Sequence, residues 1–264
     1  MDIAGDWHAA LAALAWQVDL GIDEVIGDTP LDRYDLPEPT KPAAQPRAPA
    51  PPPPQVELAA PSVDPVAVAR SLAARAISLE GLHEALTAFD LCELKKGARN
   101  TVFADGNPAA RVLVLGEAPG REEDIAGRPF VGAAGQLLDR MFAAIGLSRT
   151  APDAGAALYI TNVMPWRPPG NRDPEPAEIA MMRPFVERHI ALADPDVIVV
   201  MGNTPLFALT GQKGIMRARG NWTRALDRPL LPMVHPAYLL RNPIAKRESW
   251  ADLLALQAQL RAKG

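Results

Sequence analysis

Residues 111–141, RVLVLGEAPGREEDIAGRPFVGAAGQLLDRM, decide the fold. Arg111-Val112-Leu113-Val114-Leu115 is a short apolar run with no polar alternation, the pattern of a strand buried on both faces. A loop rich in glycine, alanine and proline follows, and a helical pattern then covers residues 135–145. A doubly buried strand passed through a glycine-rich loop into a helix is the unit of a parallel α/β sheet. In such sheets ligands sit beyond the carboxyl ends of the strands. The loop after Leu115 is therefore where chemistry is expected.

The same alternation continues on both sides. Strand-like runs recur at residues 157–160, 197–201 and 230–234, with helical patterns at 176–192, 204–209 and 246–260. Upstream, Asp64 is placed to cap a helix through Val66, Val68, Ala69 and Leu72, and a second helix is expected over residues 82–89. Together these predict a three-layer α/β/α sandwich around a short, mainly parallel four-stranded sheet, preceded by a helical and proline-rich extension. In that extension Trp7, Leu11, Leu14, Ala15 and Val18 recur at helical spacing. Such a helix docks either on its own domain or on a partner. Residues 28–65 hold twelve of the 28 prolines, including Pro51-Pro52-Pro53-Pro54, and read as a semi-rigid linker. The expected division is a helical segment at 1–27, a linker at 28–65 and a main domain at 66–264. There is no internal repeat.

Composition excludes several classes. The chain has 264 residues, 48% of them hydrophobic, and a net charge of −4. No apolar run reaches the roughly 18 residues of a membrane span. The first residues are acidic, without the basic region that opens a signal peptide. Cys92 is the single cysteine, so an intramolecular disulfide is impossible, as is an all-cysteine metal site, which needs about four thiolates. A reducing, cytoplasmic setting is the expectation. From Thr204 onward there are ten Lys/Arg against three Asp/Glu, whereas the earlier residues carry an acidic excess. This asymmetry points to a polyanion-binding face or to an ordinary solvated surface.

Three loops follow strands. The first holds Gly116, Glu117, Ala118, Glu122, Glu123 and Asp124, then Phe130. It lacks the Gly-Lys-Ser/Thr ending of a phosphate loop, and its acids would repel phosphate. The second begins at Asn162, whose amide can read a planar hydrogen-bonding edge, and continues to Arg167 and Arg172. The third is His235-Pro236-Ala237-Tyr238-Leu239-Leu240-Arg241. Singly each has an ordinary explanation: Asn162 as a helix cap, Phe130 as core, His235 bonded to a backbone carbonyl.

Together, residues 107–253 closely resemble the family-four uracil-DNA glycosylases. The matching stretches are GEAPGREEDIAGRPFVGAAGQLLDRM, ITNVMPWRPPGNRDPEPAEI and HPAYLLRNPIAKRESWADL, in the family's order and spacing. The resemblance implies hydrolysis of the N-glycosidic bond of deoxyuridine in DNA after base flipping, opening base-excision repair. It implies single- or double-stranded uracil-containing DNA as partner, free uracil as product, a monomer, and no membrane. Gly116, Ala118, Phe130 and Asn162 would hold uracil, with Phe130 as a stacking face. Asn162 would donate to O4 and accept from N3–H, and His235 would donate to O2. Glu117, Glu123 and Asp124 are the candidate acids facing the sugar, Glu117 foremost. Arg167, Arg172 and Arg241 would contact phosphates, and Leu239 and Leu240 would wedge into the gap left by the flipped base.

One departure stands out. The family holds a four-cysteine iron–sulfur cluster, but Cys92 matches only the second ligand, and Phe89, Trp166 and Met182 occupy the other three positions. No cofactor and no metal is therefore expected. An alternative within the fold is a protein that binds uracil or abasic DNA with weak turnover. Residues 214–220, Gly-Ile-Met-Arg-Ala-Arg-Gly, have the arginines but not the histidine of relatives trapped on their product. A nucleotide-binding enzyme or scaffold built on the glycine-rich loop is a third reading.

Overall fold

The computed structural model describes residues 7–19 and 63–262. The chain divides into two units, Met1–Ala59 and Ala60–Gly264. In the first, the expected N-terminal helix forms as α1 (Trp7–Asp19). Most of the proline-rich stretch 28–65 lies outside the described residues.

The second unit is built on six strands: β1 (Ala104–Gly106), β2 (Val112–Gly116), β3 (Leu158–Asn162), β4 (Val197–Met201), β5 (Thr223–Ala225) and β6 (Arg228–Met233). Their order is β1-β3-β2-β4-β6-β5. The four middle strands pair in parallel, and β1 and β5 add antiparallel edges. The four-stranded expectation thus needs correcting to six. Each missed edge is three residues long with a polar centre, Ala104-Asp105-Gly106 and Thr223-Arg224-Ala225. Pairing with β3 and β6 makes them strands, a tertiary cause that leaves no periodicity in the sequence.

Around the sheet stand α2 (Pro65–Arg75), α3 (Leu79–Ala88), α4 (Leu94–Gly97), α5 (Arg121–Ala126), α6 (Ala133–Ala143), α7 (Pro176–Ala193), α8 (Asn203–Thr210), α9 (Ile215–Ala218), α10 (Pro236–Arg241) and α11 (Lys246–Ala262). Asp64 caps α2 as expected, accepting from the Val66 N–H at 2.9 Å. The alternating side chains of the middle strands face two separate cores. Leu113, Leu115, Tyr159, Ile198 and Val200 pack with Ala69, Leu82, Val186 and Leu206 of α2, α3, α7 and α8. Val112, Val114, Leu158, Ile160 and Val199 pack with Leu138 and Phe142 of α6 and Leu253 and Leu256 of α11. Each such buried aliphatic side chain contributes about 1.5–3 kcal/mol, so both faces need their helices. Among the described residues no helix is long and apolar enough to cross a membrane.

This winding positions the site. β2 leads to α6 on one face and its neighbour β4 leads to α8 on the other. Helices that part to opposite faces leave a crevice at the carboxyl ends of those strands.

Candidate functional site

A cavity of about 640 Å³ opens at that crevice, within the range of small-ligand sites. Of the residues singled out from sequence, Glu117, Ala118, Glu123, Phe130, Asn162, Arg172, His235 and Arg241 line it. Gly116 lies beside it, and the reason it is glycine is steric. A Cβ there would stand 2.3 Å from Asn162 Oδ1 and 2.5 Å from the Phe130 ring. Without a side chain at Gly116, ring and amide close together over the end of β2.

Asn162 ends β3, in register with Gly116. It is only 7% exposed, and its Oδ1 has no hydrogen-bond partner among the described residues. A buried acceptor without a donor costs about 1–3 kcal/mol, a cost that an incoming N–H removes. Phe130 is buried and its ring stacks against His235, with centroids 5.4 Å apart and planes at 28°.

His235 caps α10. Its Nδ1 accepts from the Ala237 N–H at 3.2 Å. The neutral ring therefore carries its proton on Nε2 and is a donor there. Burial holds its pKa down to about 4, assisted by the Arg241 charge and opposed by Glu123. The ring is thus neutral at pH 7. The backbone-carbonyl explanation for His235 does not describe this contact: the ring accepts from an amide.

Glu117 follows Gly116, and its Oε2 accepts from the Thr204 hydroxyl at 2.6 Å. The bond bridges the end of β2 to the first turn of α8. Burial pushes the carboxyl above its ordinary range, the Thr204 hydroxyl pulls it back, and Asp173 pushes it further up. Thr204 and Asp173 both line the cavity and were not among the residues singled out. Position after the β4 run was the only signal for Thr204. Nothing local marked Asp173.

The other two acids are engaged elsewhere. Glu123 Oε1 accepts from Val131 N–H (3.0 Å) and Gly132 N–H (2.9 Å), and Oε2 from Gly120 N–H (3.0 Å). Asp124 is buried, lies off the cavity and accepts from Arg99 N–H (2.8 Å) and Asn100 N–H (3.2 Å). Both tie loops together. Leu239 is fully buried in the core, so only Leu240, 42% exposed, stands at the surface. Arg172 is held by Glu178 at 2.6 and 2.9 Å, and Arg167 donates to Asn171 at 2.7 Å. Arg241 is exposed at the rim.

Phe89, Cys92, Trp166 and Met182 are all buried in the first core. Trp166 Nε1–H donates to Thr101 Oγ1 at 3.1 Å. Burial pushes the Cys92 thiol above its ordinary pKa.

The profile of the uracil DNA glycosylase superfamily matches residues 103–254. The chain is 42% identical over 154 residues to a type-4 uracil-DNA glycosylase of Thermotoga maritima, covering 57% of this chain and 77% of that one. It is 39% identical over 176 residues to a type-4 uracil-DNA glycosylase of Sulfurisphaera tokodaii, covering 63% and 77%. A third, from Archaeoglobus fulgidus, is 34% identical over 186 residues, covering 66% and 89%.

Proposed function

The chain belongs to the uracil DNA glycosylase superfamily and acts as a uracil-DNA glycosylase, and we propose that the cavity at the ends of β2, β3 and β6 is where the bond is cut. The observation that carries this placement is the buried, unpartnered Oδ1 of Asn162, beside a stacking ring and a neutral histidine donor. Uracil offers N3–H to that oxygen and O4 to the Asn162 amide N–H. Cytosine presents the reverse pattern and would leave like groups facing each other, at a cost of several kcal/mol in a dry pocket.

The base leaves the stack and lies on Phe130. As the C1′–N1 bond breaks, its electron pair moves onto uracil and charge grows at O2. His235 Nε2–H donates to it, and a neutral donor needs no proton transfer to do so. The sugar becomes oxocarbenium-like. Water adds at C1′ and gives up a proton, for which Glu117 is the acceptor; the departing uracil anion takes up a proton from solvent, Glu117 returns its own to solvent, and free uracil and an abasic site result. Glu117 fits this role because its carboxylate is the one of the three whose bond to the protein is a single hydroxyl. Arg241 at the rim, with Lys246 and Arg247, supplies phosphate contacts, and Leu240 the wedge.

The family's iron–sulfur cluster does not fit these residues. It needs thiolates, and three of its four positions are Phe89, Trp166 and Met182, packed as core. Burial favours the protonated thiol at Cys92, the opposite of what a ligand needs. Purified protein should be colourless, and iron analysis should find well under one iron per chain. About four irons with absorbance near 400 nm would refute this.

The placement of the site is tested with a labelled uracil oligonucleotide. Wild type should turn over repeatedly without added metal. Asn162→Asp, which loses the amide donor, should slow excision by roughly 10²-fold or more, and His235→Ala by a similar factor. Near wild-type rates in both would move the pocket elsewhere. One uracil released per chain, with product retained, would indicate a damage binder.

A further inference from the structure

Phe130 stands at φ 54°, a left-handed conformation that a phenylalanine rarely adopts. The turn that holds it there is gripped from both sides. Arg149, in the turn between α6 and β3, donates from Nη1 to the Pro129 carbonyl and from Nη2 to the Phe130 carbonyl, both at 2.9 Å. From the other side Glu123 takes the N–H groups of Val131 and Gly132. Carbonyls go to a guanidinium and amides to a carboxylate across four consecutive residues. Arg149 is itself fixed, by Asp139 on Nε at 2.8 Å and Asp105 on Nη1 at 2.9 Å, and its side chain is 10% exposed. Asp105 belongs to edge strand β1 and Asp139 to α6. Gly135 completes the seat, because a Cβ there would stand 1.8 Å from the Phe130 carbonyl oxygen.

Arg149 is not among the residues lining the cavity. We propose that Arg149 is a positioning residue for uracil excision. With Glu123 opposite, it locks the strained turn so that the Phe130 ring holds its face at a fixed height above Asn162 and beside His235. The planar fork spans two successive carbonyls, which a lysine ammonium cannot do with the same geometry. Released, the turn relaxes toward ordinary φ values and the ring leaves its place, and a displacement of about 1 Å in such a site costs on the order of 10²-fold in rate. Edge strand β1 thereby serves the site from a distance, by supplying an acid that aims the arginine.

The proposal rests on Phe130 being the stacking ring, and a double-mutant cycle separates the two ideas. The kcat and KM on uracil oligonucleotide are measured for F130A, R149Q, R149K and the doubles with F130A, below each protein's melting transition. F130A should be slow. R149Q should lower kcat by about 10- to 100-fold with KM changed less, yet add under about twofold in the F130A background, because its effect runs through the ring. R149K keeps a charge facing Asp105 and Asp139 and should show the same coupling, so it carries the test where R149Q does not fold. A slow F130A with R149Q and R149K within about threefold of wild type would overturn the positioning role. So would losses that multiply fully with F130A, the signature of a merely structural arginine. A wild-type rate for F130A would overturn the stacking reading itself, and the proposal with it.

Discussion

Glu117 sits under opposed influences, and the balance between them is open to a single substitution. Desolvation favours its protonated form and the Thr204 hydroxyl favours the carboxylate. A base must be ionised to take a proton from water, so the fraction of active enzyme falls as pH drops through its pKa. Thr204→Val keeps the shape and removes the donor, and the carboxyl pKa then rises. The acid limb of the kcat/KM profile should move to higher pH, with a greater loss on the acid side than at pH 8, because the lost hydrogen bond had favoured the carboxylate. Thr204→Ser should leave the limb in place. A profile unchanged in Thr204→Val would show that Glu117 is not the group titrating. The neutral His235 contributes no limb near pH 7, because burial has moved its titration to about 4.

Helix α10 shows how one short element divides its labour. His235 caps its first turn and faces the cavity, Leu239 points into the core, and Leu240 and Arg241 face solvent. Adjacent leucines on a helix lie about 100° apart, so one can be core while the other is free. Leu239→Ala should therefore cost about 2–5 kcal/mol of stability, the range for emptying a buried leucine site. Leu240→Ala should change stability by less than about 0.5 kcal/mol. Instead it should slow excision from duplex more than from single-stranded DNA, since only a duplex leaves a gap to fill. Denaturant midpoints and paired rate measurements on the two substrates decide between these roles. Equal effects of Leu240→Ala on both substrates would remove the wedge.

The folded chain as a whole responds to acid through two buried histidines. His189 donates to or accepts from the Tyr159 hydroxyl at 2.8 Å, stacks on Phe103, and has its pKa pulled down to about 3 by burial and by His83. His235 titrates at about 4. Both titrate near 6.5 when unfolded. Between pH 6.5 and 4 the unfolded chain binds protons that the fold refuses, so stability is complete above that window and is lost as pH falls through it. Glu178, held below its ordinary pKa by Arg172, adds the same sign at lower pH, and Glu117, held above, opposes it. The melting temperature should fall steadily from pH 7 to 4.5, and the slope should be shallower in His189→Gln. A wild-type slope in that variant would place the acid response elsewhere.

Continuous apolar runs were enough to read the four parallel strands, because a strand buried on both faces carries its own signal in hydrophobicity. Asp64, the helices α6, α7 and α11, and the strand-end positions of Gly116, Asn162 and His235 were legible for the same local reason. The motif stretches then carried the family. What the chain could not show locally was anything created by contact between distant segments. Strands β1 and β5 exist through their neighbours' hydrogen bonds. The three acids of the first loop look alike in sequence, yet Val131 and Gly132 claim Glu123, Arg99 and Asn100 claim Asp124, and Thr204 meets Glu117 across the crevice. Leu239 and Leu240 are likewise identical until packing buries one. Side-chain type and periodicity are properties of neighbours along the chain. Burial, partner and pKa are properties of neighbours in space, and these only the tertiary structure assigned.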